Sequence, residues 1–258
     1  MPQPLASSVV NLLNRIRQFR AIHPVYEEEL NDRVRSIAVI MDGNGRWAKR
    51  RRIPVAAGHR AGTRALRRTV EASIDLGVES VCMYAFSTEN WSRPAEEIEA
   101  LMEIFVESID KEMPELVRQG VRTRFVGRRD RAPTRLAAKI TELEEATSGL
   151  DRLDLWIAYD YGGRADIVQA ARRLVEECID PLDIDENAIA ARLYASEIPD
   201  PDLLIRTSGE ERLSNFLLWQ LAYTELVFLD VLWPDFGRRE LSRALDEYAR
   251  RRRRFGGR

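Results

Sequence analysis

Cysteine is scarce in this sequence of 258 residues, and long apolar runs are missing. The two cysteines, Cys82 and Cys178, stand in separate apolar segments without the spacing of metal ligands, which predicts core thiols of a cytosolic protein. No run approaches the ~20 apolar residues of a membrane span, and the N-terminus lacks the apolar core of a signal peptide. We therefore expect a soluble protein.

An excess of charge of one sign is also missing. The 40 lysines and arginines offset 42 aspartates and glutamates, so the formal net charge is −2. This balance argues against a general binder of polyanions, although the basic residues are locally clustered. Almost all of them are arginines, whose forked side chains bind phosphate at two points. The arginine excess alone is a weak signal, because genome base composition also raises arginine.

The domain organisation is predicted to be simple. The chain has 45% hydrophobic residues and no linker rich in glycine, serine or proline, which predicts a single domain with a sizeable core. Residues 1–30 are predicted to form an N-terminal amphipathic arm, and residues 31–258 the domain itself. The arm is interpreted as a helix that packs on the body or frays, and the alternative is a basic helix that lies on a membrane surface.

Short apolar runs alternate with helical periodicity from residue 36 onward. Strands are predicted at 36–41, 80–86, 121–126, 153–159, 202–207 and 225–230, and helices at 58–76, 94–120, 133–147, from about 164, and at 238–253. This alternation predicts an α/β fold with a mostly parallel central sheet flanked by helices. The helix over 95–116 is apolar on more than one stripe, which by default indicates a core helix and alternatively the wall of an apolar channel.

Polar residues follow the first predicted strand directly. Asp42 is followed by Gly43-Asn44-Gly45 and Arg46, a formal match to the dinucleotide fingerprint G-x-G-x-x-G/A. We reject this match because Pro54 and the preceding run of arginines disfavour a long helix there, and because the fingerprint does not explain the carboxylate.

A carboxylate beside an anion site is expected when a divalent metal lies between them. Mg²⁺ usually takes one or two carboxylates together with substrate phosphates, and glycines expose backbone N–H groups to phosphate oxygens. Arg46, His59 and Arg60 would add positive charge from the side. The alternative is a polar turn followed by a solvated basic loop.

Two later segments favour the phosphate interpretation. Ser87, Asn90, Trp91 and Arg93 follow the second strand just before a helix N-terminus, which is itself an anion site. A loop after the strand at 202–207 carries Arg206, Arg212 and Ser214 and is suited to a second phosphate group. Because ligands of parallel sheets bind beyond the carboxyl ends of the strands, these groups are expected to converge. Glu225, at the start of the last strand, is either a second metal ligand or a cap.

The chain resembles the cis-prenyltransferases of the undecaprenyl diphosphate synthase family from about Ser36 to Gly257. The segments that carry the resemblance, in the family's order, are MDGNGRWAK, GHRAG, YAFSTENWSRP, YGGR, IRTSGEERLSNFLLWQLAYTEL and LWPDF. The resemblance implies a Mg²⁺-dependent enzyme that joins isopentenyl diphosphate to an allylic diphosphate and forms a Z-polyprenyl diphosphate. It also implies a homodimer in the cytoplasm, with membrane-surface contact as an open possibility and no nucleic acid partner.

The resemblance further implies a role for each matching residue. Asp42 corresponds to the metal-linked aspartate, Asn90 to the residue that handles a proton, and Glu225 to a Mg²⁺ ligand contributed across the dimer interface. The implied substrate-binding residues are Gly43, Asn44, Gly45, Arg46, Trp47 and His59 for the allylic diphosphate, Ser87, Thr88, Glu89, Trp91 and Arg93 between the substrates, and Arg206, Arg212, Leu213 and Ser214 for isopentenyl diphosphate. The tail RRFGG resembles one that reaches back over the last of these sites.

One position departs from the family pattern, and the product length stays open. Four residues before His59 the family usually carries a basic residue, where this chain has Val55, and Arg51 or Arg52 is a candidate replacement. The small Ala85 favours a medium or long product, a lipid carrier of the undecaprenyl or decaprenyl type. Leu153 matches the channel-floor position, and the bulk of neighbouring Trp156 argues the other way.

Three alternatives are carried forward. The first is a short-chain Z-prenyl diphosphate synthase, and the second is a non-catalytic partner subunit of the same fold, which would be expected to lack Asp42 or the arginines. A nucleic-acid-binding protein, argued from the basic C-terminal tail, is weaker, because such tails are usually solvated. The Asp-rich metal motif of the all-helical trans-prenyltransferases is absent, since the sequence contains no adjacent aspartates.

Overall fold

The computed structural model describes residues 33–194 and 196–251, and Val34–Tyr248 form one compact unit. The amphipathic arm predicted at 1–30 and the tail RRFGG lie outside the described residues, so both stay predictions. None of the described helices is long and apolar enough to cross a membrane.

Strands and helices alternate along the described chain. The strands are β1 Ser36–Ile40, β2 Ser80–Ser87, β3 Val121–Val126, β4 Leu153–Tyr161, β5 Leu203–Arg206 and β6 Glu225–Phe228. The helices are α1 Asn44–Arg51, α2 Val55–Asp75, α3 Ala95–Gln119, α4 Thr134–Thr147, α5 Gly163–Glu176, α6 Glu186–Ala190 and α7 Arg238–Arg250. Short 3-10 segments cover Thr88–Ser92, Pro181–Asp183 and Trp233–Asp235. All six predicted strands are confirmed, with ends that differ by at most two residues.

The six strands form a single sheet in the order β3-β4-β2-β1-β5-β6, and every neighbouring pair is parallel. The predicted α/β fold is therefore confirmed. Central strands of such a sheet are covered on both faces, which explains why all five residues of β1 are buried. The parallel arrangement also brings the carboxyl ends of β1, β2 and β5 to one edge of the sheet.

The two faces of β4 enter different apolar clusters, because successive side chains in a strand point to opposite sides. Leu153, Leu155 and Ile157 belong to the larger cluster. Trp156 belongs to the smaller one, on the other face, where the guanidinium of Arg124 lies 3.7 Å from the centre of its ring.

Helix α1 is the main element that the sequence did not predict. Gly43 precedes it with φ 112°, a left-handed conformation that favours glycine, and a Cβ there would lie 2.9 Å from the Leu232 side chain. The stretch Gly43-Asn44-Gly45, for which a polar turn was an alternative, is therefore a helix N-terminus. The helix is short and ends at Arg51, before Pro54. The cysteine prediction was half wrong: Cys82 is buried, but Cys178 is exposed.

Candidate active site

A cavity of about 720 Å³ lies where the carboxyl ends of β1, β2 and β5 meet. The predicted convergence is confirmed for most of the site. The predicted residues that line the cavity are Asp42, Gly43, Asn44, Gly45, Arg46, His59, Ser87, Glu89, Asn90, Arg93, Arg206 and Ser214. Those that do not line it are Trp47, Thr88, Trp91, Arg212, Leu213 and Glu225.

The N-terminus of α1 forms one side of the cavity. The first backbone N–H groups of a helix have no acceptor within it, and Gly43, the N-cap residue of α1, has no side chain with which to cap them. A Cβ at Gly45 would meet no atom within 4 Å, so glycine leaves open space here rather than serving packing. The positive end of the helix dipole and these N–H groups together suit an anion.

Asp42 lies between two arginines. Its Oδ2 atom is 3.0 Å from Arg206 and 3.1 Å from Arg46. Partial burial alone would raise the pKa of the Asp42 carboxyl, but hydrogen bonds from Arg206 and Ser208 and the charge of Arg46 outweigh it and lower the pKa. Asp42 is therefore ionised at neutral pH.

Glu210, which we did not predict, extends this network toward the second phosphate site. Arg46 lies 3.4 Å from Glu210, and Glu210 also pairs with Arg212. Arg206 is 3% exposed, and its Nη1 atom donates to Ser214 Oγ over 2.8 Å. The two predicted phosphate sites therefore form one continuous set of ion pairs that runs from Arg206 through Asp42, Arg46 and Glu210 to Arg212.

His59 faces the cavity as a neutral imidazole rather than as the positive charge that we expected. Burial, with a contribution from the nearby Arg93 charge, lowers the pKa of His59 to about 4. The Nδ1 atom lies 3.5 Å from the amide nitrogen of Asn44, and the tautomer in which Nδ1 accepts from this amide carries its ring proton on Nε2. That Nε2 atom is buried and has no hydrogen-bond partner among the described residues. Arg60 does not add charge to the cavity, because its side chain pairs with Glu107.

The segment after β2 is held by its own side chains and by β4. Asn90 Oδ1 accepts a hydrogen bond from the backbone N–H of Ser87 over 3.0 Å. The indole of Trp91 points away from the cavity, and its Nε1 atom donates to Asp160 Oδ1 over 2.8 Å. Asp160 is fully buried and also pairs with Arg131. Trp91 therefore fixes this segment to β4, on the side away from the cavity.

Asn215 is a second residue that sequence reasoning missed. It lines the cavity, and its amide nitrogen donates to Glu89 Oε1 over 2.8 Å. Its Oδ1 atom accepts the backbone N–H of Arg164 over 2.9 Å. The signal that could have identified it is its place beside Ser214 in the motif RLSNF. Asn215 therefore links three segments around the cavity.

The remaining predicted residues have other surroundings. Trp47 donates from Nε1 to Asp235 over 2.8 Å, and its ring stacks on the guanidinium of Arg51. Neither the Trp47 ring nor the Arg51 guanidinium therefore reaches the cavity. Thr88 donates to Glu89, and Leu213 packs with the smaller apolar cluster. Val55 lines the cavity and is 44% exposed, whereas neither Arg51 nor Arg52 lines it. The proposed replacement for the missing basic residue is therefore wrong in this structure.

Glu225 lies at the opposite end of the sheet from Asp42. It pairs with Leu203, which pairs in turn with Ile37, five residues before Asp42. At ~3.3 Å per residue this places the two carboxylates roughly 16 Å apart along the strands. The two residues of one chain therefore do not share a metal ion.

The residues around Asp42 have the chemistry that Mg²⁺ prefers when it binds together with phosphates. Within the ranges 33–194 and 196–251, no three His, Cys, Asp or Glu side chains form a metal-binding group. Mg²⁺ is commonly held by one or two carboxylates together with substrate phosphates. The ionised Asp42, next to N–H groups and arginines suited to phosphate, meets this requirement for an ion that arrives with its substrate.

An apolar channel continues from this cavity. A second cavity of about 140 Å³ shares the lining residues Met41, Asn44, His59, Ala85 and Leu101 with the first. One wall is α3, which contributes Leu101, Ile104, Phe105, Ile109 and Leu116. The alternative interpretation of α3 as a channel wall is supported by this lining.

One of the two expectations about the channel floor was wrong. Leu153 is fully buried on the channel side of the sheet, next in line after the lining residues Ile157 and Leu155, so its place at the channel floor stays a prediction. Trp156 lies on the opposite face, so its bulk cannot narrow the channel. Ala85 lines both cavities and marks their junction.

Known proteins resemble the whole domain. The prenyltransferase family model of undecaprenyl diphosphate synthase matches residues 40–256. A ditrans,polycis-undecaprenyl-diphosphate synthase, (2E,6E)-farnesyl-diphosphate specific, of Xanthomonas axonopodis pv. citri is 49% identical over 240 residues, 92% of each chain. The isoprenyl transferase of Thermotoga maritima is 48% identical over 223 residues, 86% of this chain and 96% of that protein.

Solved structures have a similar fold. Lavandulyl diphosphate synthase from Lavandula x intermedia, in complex with dimethylallyl diphosphate, superposes with a TM-score of 0.84 at 35% identity, covering 88% of this chain and 99% of that one. With its parallel sheet, its cationic cavity and its apolar channel, the chain belongs to the undecaprenyl diphosphate synthase family of cis-prenyltransferases.

Proposed function

We propose that this cis-prenyltransferase condenses isopentenyl diphosphate with an allylic diphosphate and forms a Z-polyprenyl diphosphate of medium or long chain. The observation that carries the proposal is the junction of a cationic cavity with an apolar channel, at Ala85 and His59. A prenyl diphosphate needs both environments, because its head is a charged phosphate ester and its tail is a hydrocarbon. The undecaprenyl diphosphate synthase from Xanthomonas supports a long product and a farnesyl primer.

The allylic diphosphate is proposed to bind at the N-terminus of α1. The N–H groups of Asn44, Gly45 and Arg46 donate to its phosphate oxygens, and the Arg46 side chain exchanges its carboxylate partners for phosphate. The neutral His59 donates from Nε2, a buried atom that has no hydrogen-bond partner in the part of the chain that the structure describes. Three predicted residues stabilise the segments around this site without contacting the substrate. They are Trp47, Thr88 and Trp91.

Isopentenyl diphosphate is proposed to bind at Arg206, Arg212 and Ser214. Arg206 is already oriented by Ser214 Oγ and by the Arg212 carbonyl. Arg212 has a side chain that is 60% exposed, so it can turn from Glu210 to an incoming phosphate without disturbing the core. Leu213 holds this loop against the smaller apolar cluster. Glu89 and Arg93 lie between the diphosphate groups of the two substrates.

The reaction breaks the allylic carbon–oxygen bond, and its electron pair leaves with the diphosphate. The double bond of isopentenyl diphosphate forms the new carbon–carbon bond, one proton is lost, and a new double bond closes. Cationic side chains stabilise the charge that develops on the leaving group, while the apolar channel excludes water from the allylic cation. Asn90 is too weak a base to hold the proton, so we assign it the orientation of a diphosphate oxygen that accepts it.

Mg²⁺ is the proposed metal, held by Asp42 and by substrate phosphates, and when bound it neutralises negative charge on the leaving diphosphate. We further propose a homodimer in which Glu225 of one subunit serves the site of the other. The distance of Glu225 from its own Asp42 is compatible with this arrangement, because the two carboxylates of one chain are too far apart to share an ion. It begins β6, the last strand of the sheet. Mixing the inactive variants Asp42→Asn and Glu225→Gln should restore part of the activity through hybrid dimers, and no restoration contradicts the shared site.

A cytoplasmic location with contact at the membrane surface is the proposed setting, because a long polyprenyl tail partitions into a bilayer. The arm at 1–30 is the candidate contact, and deletion of this arm should reduce sedimentation with anionic vesicles. Unchanged sedimentation would contradict its role.

The reaction is tested by product analysis. The full chain is incubated with farnesyl diphosphate, excess labelled isopentenyl diphosphate, MgCl₂ and detergent, and the products are sized by chromatography and mass spectrometry. We expect Z-products well beyond three units and none with a chelator. Products that stop after one or two additions would support the short-chain alternative, and no condensation would support the non-catalytic one.

A further inference from the structure

The apolar channel is too small for the product that the proposed function requires. A cavity of ~150 Å³ takes up one benzene molecule of six carbons. The channel measures about 140 Å³, so it holds roughly one five-carbon unit. The larger cavity, of about 720 Å³, must accommodate two diphosphates and the prenyl units next to them. A product of about ten units therefore needs a wall of the channel to move.

The sheet wall is unsuited to this movement. Its lining residues Phe125, Leu155 and Ile157 lie on β3 and β4, which are joined along their length by a parallel ladder. Moving them would break backbone hydrogen bonds inside the core. Helix α2 is also fixed, because Trp233 Nε1 donates to the Gly62 carbonyl over 2.9 Å and Arg68 donates to the Pro234 and Phe236 carbonyls.

The boundary between α2 and α3 is held in another way, because three polar contacts between side chains cross it. Arg60 pairs with Glu107 at 3.1 Å, Ser108 Oγ donates to Thr63 Oγ1 over 3.3 Å, and Arg67 pairs with Glu112. We call these three links the α2–α3 seam. Thr63, Ser108 and Glu112 also line the channel, so the seam lies directly over the path of a growing tail.

The Arg67–Glu112 pair is the link of the seam with a buried carboxylate. Glu112 is 9% exposed and the Arg67 side chain 37%, whereas both members of the Arg60–Glu107 pair are about half exposed. Exposed pairs contribute little to stability, but a buried carboxylate that loses its partner is costly. Glu112 follows Leu101 by eleven positions of α3, roughly 16 Å at ~1.5 Å per residue. The pair therefore closes the far part of the channel.

A weak point in α3 lies immediately beyond this pair. Pro114 is inside the helix, where it lacks an N–H for the carbonyl of Asp110. Prolines inside helices are the usual sites of bending. The segment of α3 before Pro114, which carries Ser108 and Glu112, can therefore tilt at this residue away from α2 when the link at Glu112 parts.

We propose that Arg67 and Glu112 determine product length: a tail longer than the closed channel is accommodated only when their ion pair parts and α3 bends at Pro114. This inference rests on the proposed function. An apolar tail that reaches Glu112 needs the volume that the ion pair closes, and parting this pair beside an apolar tail is costly because Glu112 then loses its partner in an environment without water. Each added unit must therefore displace the link, and elongation slows at that point.

A reversible disulfide tests the proposal on one protein. Thr63→Cys and Ser108→Cys are combined in a Cys178→Ser background, since the two hydroxyl oxygens are 3.3 Å apart and disulfides span similar side-chain separations. Oxidised enzyme should stop after a few units, and the same sample after reduction should give the wild-type length. Equal product lengths in both states, with the bond verified by thiol titration, would overturn the proposal.

Weakening the link should act in the opposite direction. Glu112→Gln removes the ion pair at constant volume and should shift the main product to longer chains by at least one unit. The matched control is Glu107→Gln, which removes the exposed pair of the same seam and should leave the length unchanged. An unchanged distribution in Glu112→Gln overturns the inference, whereas absence of any product from the wild-type enzyme contradicts the proposed function instead.

Discussion

The Nη2 atom of Arg206 donates a hydrogen bond to Asp42 Oδ2 over 3.0 Å and so joins the carboxyl ends of β5 and β1, 164 positions apart in the chain. Arg206 is almost completely buried, and Asp42 is partly exposed to the cavity. Without substrate the aspartate thus holds the arginine that the second diphosphate is proposed to bind. Binding of Mg²⁺ and phosphates would redistribute these partners within one network.

Replacing Asp42 by asparagine should abolish most of the turnover while the fold persists. Asparagine keeps the volume and still accepts a hydrogen bond from Arg206, whereas alanine would remove this acceptor as well as the charge. We expect kcat to fall more than tenfold, a barrier increase above ~1.4 kcal/mol, while the protein still unfolds cooperatively at a lower melting temperature, because Arg206 loses its counter-charge. Asp75→Asn, a charge change in an exposed pair with Arg238, is the control. Retention of wild-type kcat would refute the metal role of Asp42.

Arg206→Ala and Arg212→Ala should both raise the KM for isopentenyl diphosphate. Each removes a hydrogen bond from a charged group, worth about 1.5–3 kcal/mol, or roughly tenfold to a hundredfold in KM. Only Arg206→Ala should also lower the melting temperature, because the Arg206 side chain is 4% exposed and that of Arg212 is 60% exposed. If the KM of the allylic substrate rises instead, the two phosphate sites are assigned in reverse.

His59 should make the protein less stable in acid. The pKa of His59 is about 4 in the folded chain and 6.5 in the reference state, so the unfolded chain binds more protons between these values. Stability therefore falls as the pH drops from 6.5 towards 4, by roughly 3 kcal/mol. Denaturant unfolding of wild type and His59→Gln at several pH values isolates this contribution. Parallel pH profiles of the two proteins would show that His59 is not buried as a neutral ring.

A basic residue at position 55 should improve binding of the allylic diphosphate. Val55 lines the cavity at the first position of α2, and no arginine of the neighbouring basic run reaches it. Val55→Arg should lower the KM of the allylic substrate by up to about tenfold, the effect of one added charged hydrogen bond. Ile53→Arg, at an exposed position outside the cavity, should leave the KM unchanged. Equal effects of both variants would indicate general attraction of the substrate rather than a local contact.

Ala85→Leu should shorten the product without impairing the first condensation. Ala85 lies where the cavity opens into the channel, so a larger side chain there obstructs the tail and not the diphosphates. The measurement is product size at fixed substrate ratio, together with the rate of the first addition. Trp156→Phe is the control, since this ring lies on the other face of the sheet and should not affect length. A wild-type product from Ala85→Leu would place the tail elsewhere.

The amino-acid sequence by itself determined most of the secondary structure, except helix α1 and the short helix α6, and it determined the edge of the sheet where the site forms. Strand runs such as SIAVI are apolar and β-branched, and helix α3 begins after Pro94 and ends before Gly120, which adopts φ 76°. These are local preferences of the backbone. The convergence of Asp42 and Arg206 follows as well, because parallel strands place their carboxyl ends together whatever their order.

Only the tertiary structure decided which neighbours each side chain has. Alternation in β4 shows that the strand has two faces but not which one meets the channel, so the effect of Trp156 was misjudged. The sequence motif of His59 does not report burial, and burial is what keeps this ring neutral. Strand register places Glu225 far from Asp42, and register depends on long-range pairing rather than on local sequence. The α2–α3 seam likewise exists only because two helices, separate in the chain, pack over one channel.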